Sequence, residues 1–490
     1  MILLNFFMNV AMANLNRIIL IIYFITVLFT IIMVIHEKRD PSKTSTWVLL
    51  IISLPVLGLI LYVIFGQNRR KEKIFNRKEI QDIQQIDYLS RQQVTNFSKK
   101  GQLNSKISNH ISIITLLLNN SKALLTDFNS VSIFFKGKPA FDSIIDELNN
   151  ATSSIHLEFY IINDDKIGNR IKEVLIAKAR LGVKVRVIFD DVGSWSLPKK
   201  YIRELKQAGV EVFPFMKVRF PLLTSKANYR NHRKIVLIDG RVAFLGGMNI
   251  ADRYIEGSKI GMWFDTMLRI EGEAVHSLQV IFLIDWYFVS GDLVADRPLY
   301  FPEVSVSTYH PIQVATSGPD SDWASIMQAF FLGITKASHH VYIATPYFIP
   351  NESILTALKT AALSGIDVQI MLPGISDSTI VYWSSLSYVS ELLEAGIKVY
   401  LYRHGFNHSK LMMIDGSLAF TGSANMDIRS FEDNFEVAAI MYDDQITRLL
   451  ESSFIQFRNS SQEITLEEWN RRSAGNSFKE AFARLISPLF

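Results

Sequence analysis

Cysteine is absent from this 490-residue chain, which excludes structural disulfides, thiolate metal sites and cysteine nucleophiles. Any nucleophile must come from another residue type. A surplus of one charge is missing too: 51 Lys and Arg face 47 Asp and Glu, a formal net charge of +4, and only 20% of residues are charged. That balance argues against a strongly basic nucleic-acid binder and fits an anionic lipid surface better. What the chain has in excess is apolar surface. Hydrophobic residues reach 49% and the mean hydropathy is positive, more than two domains of ordinary size need for their cores, which points to a membrane.

Two runs carry that excess. Ile18 to Ile35 and Trp47 to Phe65 contain no charged residue over 18 and 19 positions, each roughly the length that crosses a ~30 Å hydrocarbon core. They predict a transmembrane helical hairpin within residues 1–66, with helices at about 18–35 and 47–65. A cleaved signal peptide is the rival reading of the first run. Met1 to Val10 is apolar rather than basic, however, and no small-residue cleavage site follows Ile35. Pro55 and Gly58 interrupt the second run, so it either spans fully or dips in and returns. Beyond it stand Arg69, Arg70, Lys71, Lys73, Arg77 and Lys78, whereas Lys38, Arg39 and Lys43 of the intervening loop are diluted by Glu37 and Asp40. The positive-inside rule then puts the large C-terminal portion on the cytoplasmic face of the cell membrane, as part of a multi-pass protein.

Residues 67–105 are polar and basic and read as a linker with some helix. From residue 106 short β-rich runs alternate with amphipathic helical stretches: Ser154 to Ile162, Ile167 to Leu181, Val183 to Asp190, Pro198 to Ala208, Val210 to Phe215. That is the pattern of an α/β fold. The pattern occurs twice. Residues 231–249 (NHRKIVLIDGRVAFLGGMN) lie without gaps on residues 407–425 (NHSKLMMIDGSLAFTGSAN), with 10 of 19 positions identical. Upstream, 201–215 matches 388–402, and Gly182-Val-Lys-Val-Arg-Val matches Gly365-Ile-Asp-Val-Gln-Ile. The chain is therefore an internal duplication, with halves expected at 106–300 and 301–490. A longer loop, Lys217 to Arg230, marks the first half; it is basic and apolar together, and either rests among lipid headgroups or is an ordinary solvated insertion.

Each half carries His-x-Lys, four residues and Asp: His232, Lys234, Asp239 and His408, Lys410, Asp415. One copy alone could be the polar edge of a strand, since residues two apart share a face. Two copies at one spacing, each trailed by Gly-x-x-Asn, have no such bland account, because folding gives no reason to keep His and Lys together in both. These residue types suit phosphodiester exchange. A neutral imidazole can attack phosphorus near neutral pH. A second imidazole can protonate the leaving alkoxide and then take a proton from the incoming hydroxyl. The two lysines, the amides of Asn249 and Asn425, and the backbone N–H groups of the turns at Gly247 and Ser423 are candidates to hold the phosphate oxygens, with no metal or other cofactor called for. The box aspartates are candidates to face the histidine rings. Glu436 and Asp265, at corresponding places in the two halves, either orient a histidine or are surface acids.

The paired boxes resemble the phospholipase D superfamily. The resemblance implies two duplicated α/β/α sandwich halves that share one active site and a histidine that is transiently phosphatidylated. Stretches outside the boxes are similar to bacterial cardiolipin synthases: Arg39-Asp-Pro-Ser-Lys-Thr-Ser-Thr-Trp47, Leu54-Pro-Val-Leu-Gly58, Phe65-Gly66, His156-Leu-Glu-Phe-Tyr160, Thr345-Pro-Tyr-Phe-Ile-Pro350, Asn425-Met-Asp-Ile-Arg-Ser430, Asn434-Phe-Glu436 and Arg484-Leu-Ile-Ser-Pro-Leu489. Coverage is nearly the whole chain. One departure is Trp263-Phe264-Asp265, where the family usually has a basic residue in the middle, which puts a phosphate contact there in doubt. The implied reaction joins two phosphatidylglycerol molecules, donor and acceptor, into cardiolipin with release of glycerol at the inner leaflet. The usual family order implies that His232 is the nucleophile and His408 the acid and base. A hydrolytic phospholipase D would use the same six residues with water as acceptor. A nuclease lacks the expected basic stripe in the catalytic halves, and a lipid-binding scaffold with relic boxes would be expected to have lost a His or Lys.

Overall fold

The computed structural model describes residues 14, 17, 21, 23–32, 34, 35, 41–62, 87–95, 105–218, 229–294, 297–303 and 305–487. The basic cluster from Arg69 to Lys78, and residues 219–228 of the first-half insertion, lie outside the described residues. The chain divides into an N-terminal unit and a large catalytic unit that begins at Arg77.

In the N-terminal unit residues 23–32 are helical, and the second apolar run forms two short helices, Pro41–Ser53 and Pro55–Leu61, in place of the single helix expected at 47–65. The break has a local cause. Pro55 donates no backbone hydrogen bond and biases the residue before it out of the helical region, and Leu54 sits at φ −133°, ψ 72°. Glycine at 58 allows the second helix to close on the first, since a Cβ there would lie 2.7 Å from the Leu50 carbonyl oxygen. Val34, Trp47, Ile51 and Tyr62 form a small buried cluster. Among the described residues no helix is long and apolar enough to cross a membrane. The exposed faces are nonetheless apolar, with Phe24, Leu28, Phe29, Ile32, Leu49, Ile52 and Val56 all turned outward.

The strands of the first half are β1 (Leu125–Lys136), β2 (Ser154–Phe159), β3 (Lys184–Asp190), β4 (Glu211–Phe215), β5 (Lys234–Ile238), β6 (Val242–Gly246) and β7 (Met262–Gly272). The second half supplies β8 (Tyr309–Ser317), β9 (His340–Ala344), β10 (Phe348–Ile349), β11 (Asp367–Pro373), β12 (Lys398–Tyr402), β13 (Gly405–Asn407), β14 (Leu411–Ile414), β15 (Leu418–Gly422), β16 (Met426–Asp427), β17 (Glu436–Met441) and β18 (Gln462–Ile464). All but β10 and β16, which pair with each other in a small parallel sheet, join into one large sheet through the antiparallel pair β1 and β8. Outward from that pair the order is β7-β6-β5-β2-β3-β4 on one side and β17-β15-β14-β9-β11-β12, then β18, on the other. The gapless repeat in sequence is thus a repeat in topology.

Helices cross between the strands as the apolar spacing requires. Helix α1 (Gly137–Asn150) buries Ala140, Phe141, Ile144, Ile145 and Leu148, and α2 (Lys166–Arg180) buries Ile167, Ile171 and Leu175. These are i, i+3, i+4 stripes. Asp165 caps α2 through the Gly168 amide. Each half has its own apolar core, one centred on Leu157, Val187, Val236 and Phe244, the other on Ile343, Ile370, Met412 and Phe420.

Candidate active site

The boxes fall where β5 and β14 begin. Each strand turns into its neighbour through Asp-Gly, Asp239-Gly240 and Asp415-Gly416, with all four residues at positive φ (53°, 63°, 52° and 65°). Two consecutive left-handed residues make the tight hairpin turn that Asp-Gly favours. The aspartate side chains do not face the histidine rings, contrary to expectation. Asp239 accepts from the amides of Thr152, Ser153 and Ser154 at 2.8 Å each. Asp415 accepts from those of Ser338, His339 and His340 at 2.7 to 2.8 Å. Each box aspartate therefore pins the start of the adjacent strand, β2 or β9. Burial raises the Asp239 carboxyl, but these donors outweigh it and hold the group below its usual range.

The histidines are served by the other two carboxylates, and the service is crossed between halves. His232 Nδ1 lies 3.0 Å from both oxygens of Glu436, and His408 Nδ1 lies 2.7 Å from Asp265 Oδ2. Backbone pairing sets this up. The His232 amide donates to the Phe435 carbonyl at 2.9 Å, and the His408 amide to the Phe264 carbonyl at 2.7 Å. In each case the acceptor immediately precedes the carboxylate, so ring and acid are brought side by side from opposite halves. β13 continues the arrangement by running parallel to β7, with Asn407 opposite Phe264.

Protonation follows from the partners. His232 Nδ1 contacts only acceptors, the Ser423 carbonyl at 3.0 Å and Glu436, so Nδ1 carries the proton and Nε2 keeps its lone pair. Burial pushes His232 down to about 4 against the pull of Glu436. Glu436 is raised by burial, but His232, Lys234 and Ser423 hold it at about 2. Burial pushes Asp265 up to about 6 despite Lys410. His408 is driven well below its usual value by burial and then by Lys410 and Lys234. Lys234 is brought down to about 7 by burial, and Lys410 is lowered for the same reason. Lys234 Nζ donates to the His232 carbonyl, Lys410 Nζ to the His408 carbonyl. Among the described residues no group of three or more His, Cys, Asp or Glu is placed to hold a metal ion.

Both rings line one cavity of about 430 Å³, with Asn249 and Asn425, Tyr160 and Tyr347, Arg230, Arg253 and Arg429. The turn residues do something other than expected. The Gly247 amide is spent on the Thr266 carbonyl and the Ser423 amide on that of Val437, and neither residue lines the cavity. Gly247 instead leaves room for Asp265, whose Oδ1 would stand 2.2 Å from a Cβ at that position. Ser423 Oγ bonds the Glu436 carboxylate. Glycine and serine thus support the two carboxylates rather than a phosphate. Asn249 is tied to the Ile161 amide and the Tyr254 hydroxyl, whereas Asn425 Oδ1 is buried with no protein partner. Phe264, the middle residue of the divergent triplet, packs on Tyr402 and Phe457 and stays out of the cavity.

Sequence reasoning passed over Arg253 and Arg429. Their signal was present: each lies 21 residues after its box histidine and four after its asparagine, so the gapless repeat extends to Asn-x-x-x-Arg in both halves. Tyr160 was reachable too. His156 and Glu158 of β2, and Tyr160 just past its end, are spaced two apart. His156 stacks on Phe282, Glu158 accepts from Asn231 beside the box, and Tyr160 meets the His232 ring at 4.9 Å.

A duplicated α/β fold that brings the histidines of two His-Lys boxes to one cavity, each backed by a carboxylate from the other half, defines a phosphodiester-exchanging enzyme of the phospholipase D type. Comparison with known proteins agrees. The family "Cardiolipin synthase, PLD-like domain" matches residues 144–286 and 332–458, and "Phospholipase_D-nuclease N-terminal" matches 19–67. Cardiolipin synthase 2 of Bacillus anthracis is 42% identical over 463 residues, 92% of this chain and 88% of that one. The major cardiolipin synthase ClsA of Bacillus subtilis is 39% identical over 481 residues, 97% of this chain and all of that one. The crystal structure of phosphatidylserine synthase from Haemophilus influenzae shares the fold, with a TM-score of 0.59 at 16% identity over 79% of this chain and all of that one. The chain belongs to the cardiolipin synthase family of the phospholipase D superfamily. It is a phosphatidyltransferase acting on phospholipids to make cardiolipin.

Proposed function

We propose that the enzyme joins two phosphatidylglycerol molecules through a covalent phosphatidyl-histidine at His232. The observation that carries this reading is the crossed pairing of His232 with Glu436 and of His408 with Asp265 around one cavity. In the first step His232 Nε2 attacks phosphorus, the bond from phosphorus to the headgroup glycerol oxygen breaks, and His408 gives that oxygen its proton. Glycerol leaves. In the second step a terminal hydroxyl of another phosphatidylglycerol loses its proton to His408 and attacks phosphorus. The phosphorus–nitrogen bond breaks, and cardiolipin leaves with His232 neutral and His408 recharged. Glu436 keeps the Nδ1 proton in place and offsets positive charge as the ring becomes phosphatidylated at Nε2. Lys234 and Lys410, buried beside both rings, offset the charge building on the non-bridging oxygens.

The assignment of nucleophile to the first half draws support from the carboxylates. Burial lowers both rings, but Glu436 stays ionised beside His232, whereas burial pushes Asp265 up to about 6 beside His408, so that pair is the one able to carry the proton an acid must give. The apolar outward faces of the N-terminal helices, and the cationic run after residue 68, support insertion of that unit into the cell membrane, crossing it as a hairpin with the catalytic unit on the cytoplasmic side. Residues 106–300 and 301–490 are taken as the two catalytic halves, joined to that unit by 67–105.

Phosphatidylglycerol liposomes incubated with purified protein, His232→Ala and His408→Ala test the reading. Cardiolipin and glycerol in equal amounts from wild type, none from either variant, and a phosphatidyl adduct by intact mass at His232 only when His408 is missing are expected. An adduct on His408 reverses the roles. Phosphatidate in place of cardiolipin makes water the acceptor.

A further inference from the structure

Helix α3 (Ala474–Ile486) is amphipathic in the reverse sense to a water-facing surface helix. The side turned to the protein carries Glu480 and Ala483, both buried, with Asn476 half-buried and Ser487 buried just past the helix end. The side turned away carries Phe478, Phe482 and Leu485, 72%, 55% and 67% exposed. These are i, i+4 and i+7, one continuous stripe. A helix that only covered a core would turn this stripe inward. Here the inward position is held by Glu480, bonded at 3.0 Å by Arg472, which fixes the rotation of the helix with its aromatic face outward.

The helix that carries the stripe packs beside an element of the active-site wall. Helix α3 packs on the helix Thr379–Leu386, whose first residues Ile380 and Val381, with Asp377 and Ser378 before them, line the cavity. Ile380 and Ile375 are themselves 46% and 39% exposed. Cations flank the apolar surface: Lys479 Nζ lies 5.1 Å from the Trp383 ring centroid, and the Arg484 guanidinium 4.3 Å from that of Tyr388. Aromatic and aliphatic residues edged by Lys and Arg make up the composition of helices that lie in a lipid interface.

We propose that the outward face of α3, with Ile375 and Ile380, docks on the surface of a phospholipid bilayer and sets the cavity mouth against the lipids it draws from. This rests on the phosphatidyl-transfer reading, because it is the lipid substrate that makes a bilayer, rather than a second copy of the chain, the occupant that must meet this mouth.

Because the chain has no cysteine, Phe482→Cys in the full-length protein takes a single environment-sensitive fluorophore. In phosphatidylglycerol proteoliposomes doped with dibrominated lipid, that probe is expected to be quenched several-fold more than one at Leu181→Cys, another exposed leucine. A Phe478→Ser, Phe482→Ser, Leu485→Ser variant is expected to lose about tenfold or more in cardiolipin formation on vesicles while turning over dispersed short-chain phosphatidylglycerol like wild type. Absence of quenching, or equal activity of variant and wild type on vesicles, overturns the docking face. So does loss on the dispersed substrate as well, which marks a merely structural helix, or cross-linking between copies at Phe482→Cys without quenching, which assigns the face to a second copy. Failure of the transfer reading itself is separate, since wild type would then make no cardiolipin from either substrate.

Discussion

The Glu436 carboxylate lies 3.0 Å from Nδ1 of His232, a partner 204 residues earlier in the chain and in the other half of the duplication. The mirror contact joins His408 to Asp265. Neither half therefore holds a complete histidine–carboxylate pair, and each ring takes its carboxylate from the other half. Glu436→Gln keeps the shape but can donate as well as accept, so the ring loses its fixed tautomer and its counter-charge. A fall in kcat of roughly 10²–10⁴-fold is expected, by analogy with the carboxylate of a catalytic triad. Asp265→Asn is expected to fall similarly. Initial rates on phosphatidylglycerol with a thermal unfolding control check it; unchanged rates in either variant would remove that carboxylate from the mechanism.

The crossing was not legible in the sequence, although its components were. Duplication and both boxes are visible because His232 to Asp239 and His408 to Asp415 repeat without gaps, and alternation of strand and helix patterns suffices for the α/β class. Glu436 and Asp265 stood out as corresponding positions, but which histidine each serves depends on how β7 and β17 meet the opposite box, a tertiary fact carried by the Phe264 and Phe435 carbonyls. The role of Asp239 was misread for a different reason. Its neighbour Gly240 already signalled a turn, and turn chemistry, rather than catalysis, accounts for the aspartate. Gly247 is similar: a missing Cβ is visible, but the carboxylate that fills the space comes from a strand 18 residues on.

The pH profile follows from opposed environments. His232, down at about 4, stays an unprotonated nucleophile until the pH falls to that region. Asp265, up at about 6, and its depressed partner His408 behave as a pair that binds one proton below about 6 and releases it above. Protonation of His232 therefore sets the acid limb of kcat/KM, and proton loss from the His408–Asp265 pair sets the alkaline limb. A bound phosphodiester anion stabilises the imidazolium, so the alkaline limb of kcat should lie at higher pH than that of kcat/KM. Asp265→Asn should move both alkaline limbs down. Coincident limbs for kcat and kcat/KM would contradict this account.

Asp239 and Asp415 are expected to matter for folding rather than turnover. Each closes a turn at positive φ and accepts three backbone amides. Replacement by Ala leaves those donors unpaired and puts an ill-suited residue in a left-handed conformation, a cost of about 1–3 kcal/mol each. Asn, which tolerates that conformation, should cost less. Denaturant midpoints should order wild type, then Asn, then Ala, with kcat of the folded fraction close to wild type. A kcat loss at Asp239→Asn as deep as at His232→Ala would make the aspartate part of the chemistry.

Arg253 and Arg429 occupy the same offset in the two halves and both reach the one cavity. Arg253 lies over the Trp263 ring at 4.7 Å, and its Nε is buried with no protein partner, a donor that an oxygen of a bound phosphate would satisfy. Two lipids must meet here, each with one phosphate, and a guanidinium from each half can hold them apart while both remain in reach of the histidines. Arg253→Ala and Arg429→Ala are each expected to lower kcat/KM by roughly 10- to 100-fold, the scale of a lost charge-assisted contact to a phosphate. Lysine should restore little, because it lacks the planar fork. The two losses should also separate by step: with the covalent adduct isolated from His408→Ala as a reference for its mass, quench-flow of each variant will show either slowed adduct formation or slowed adduct breakdown. If the arginines divide donor and acceptor between them, one variant slows formation and the other breakdown. If both slow only formation, the acceptor phosphate is held elsewhere and the symmetry of the repeat does not extend to substrate binding.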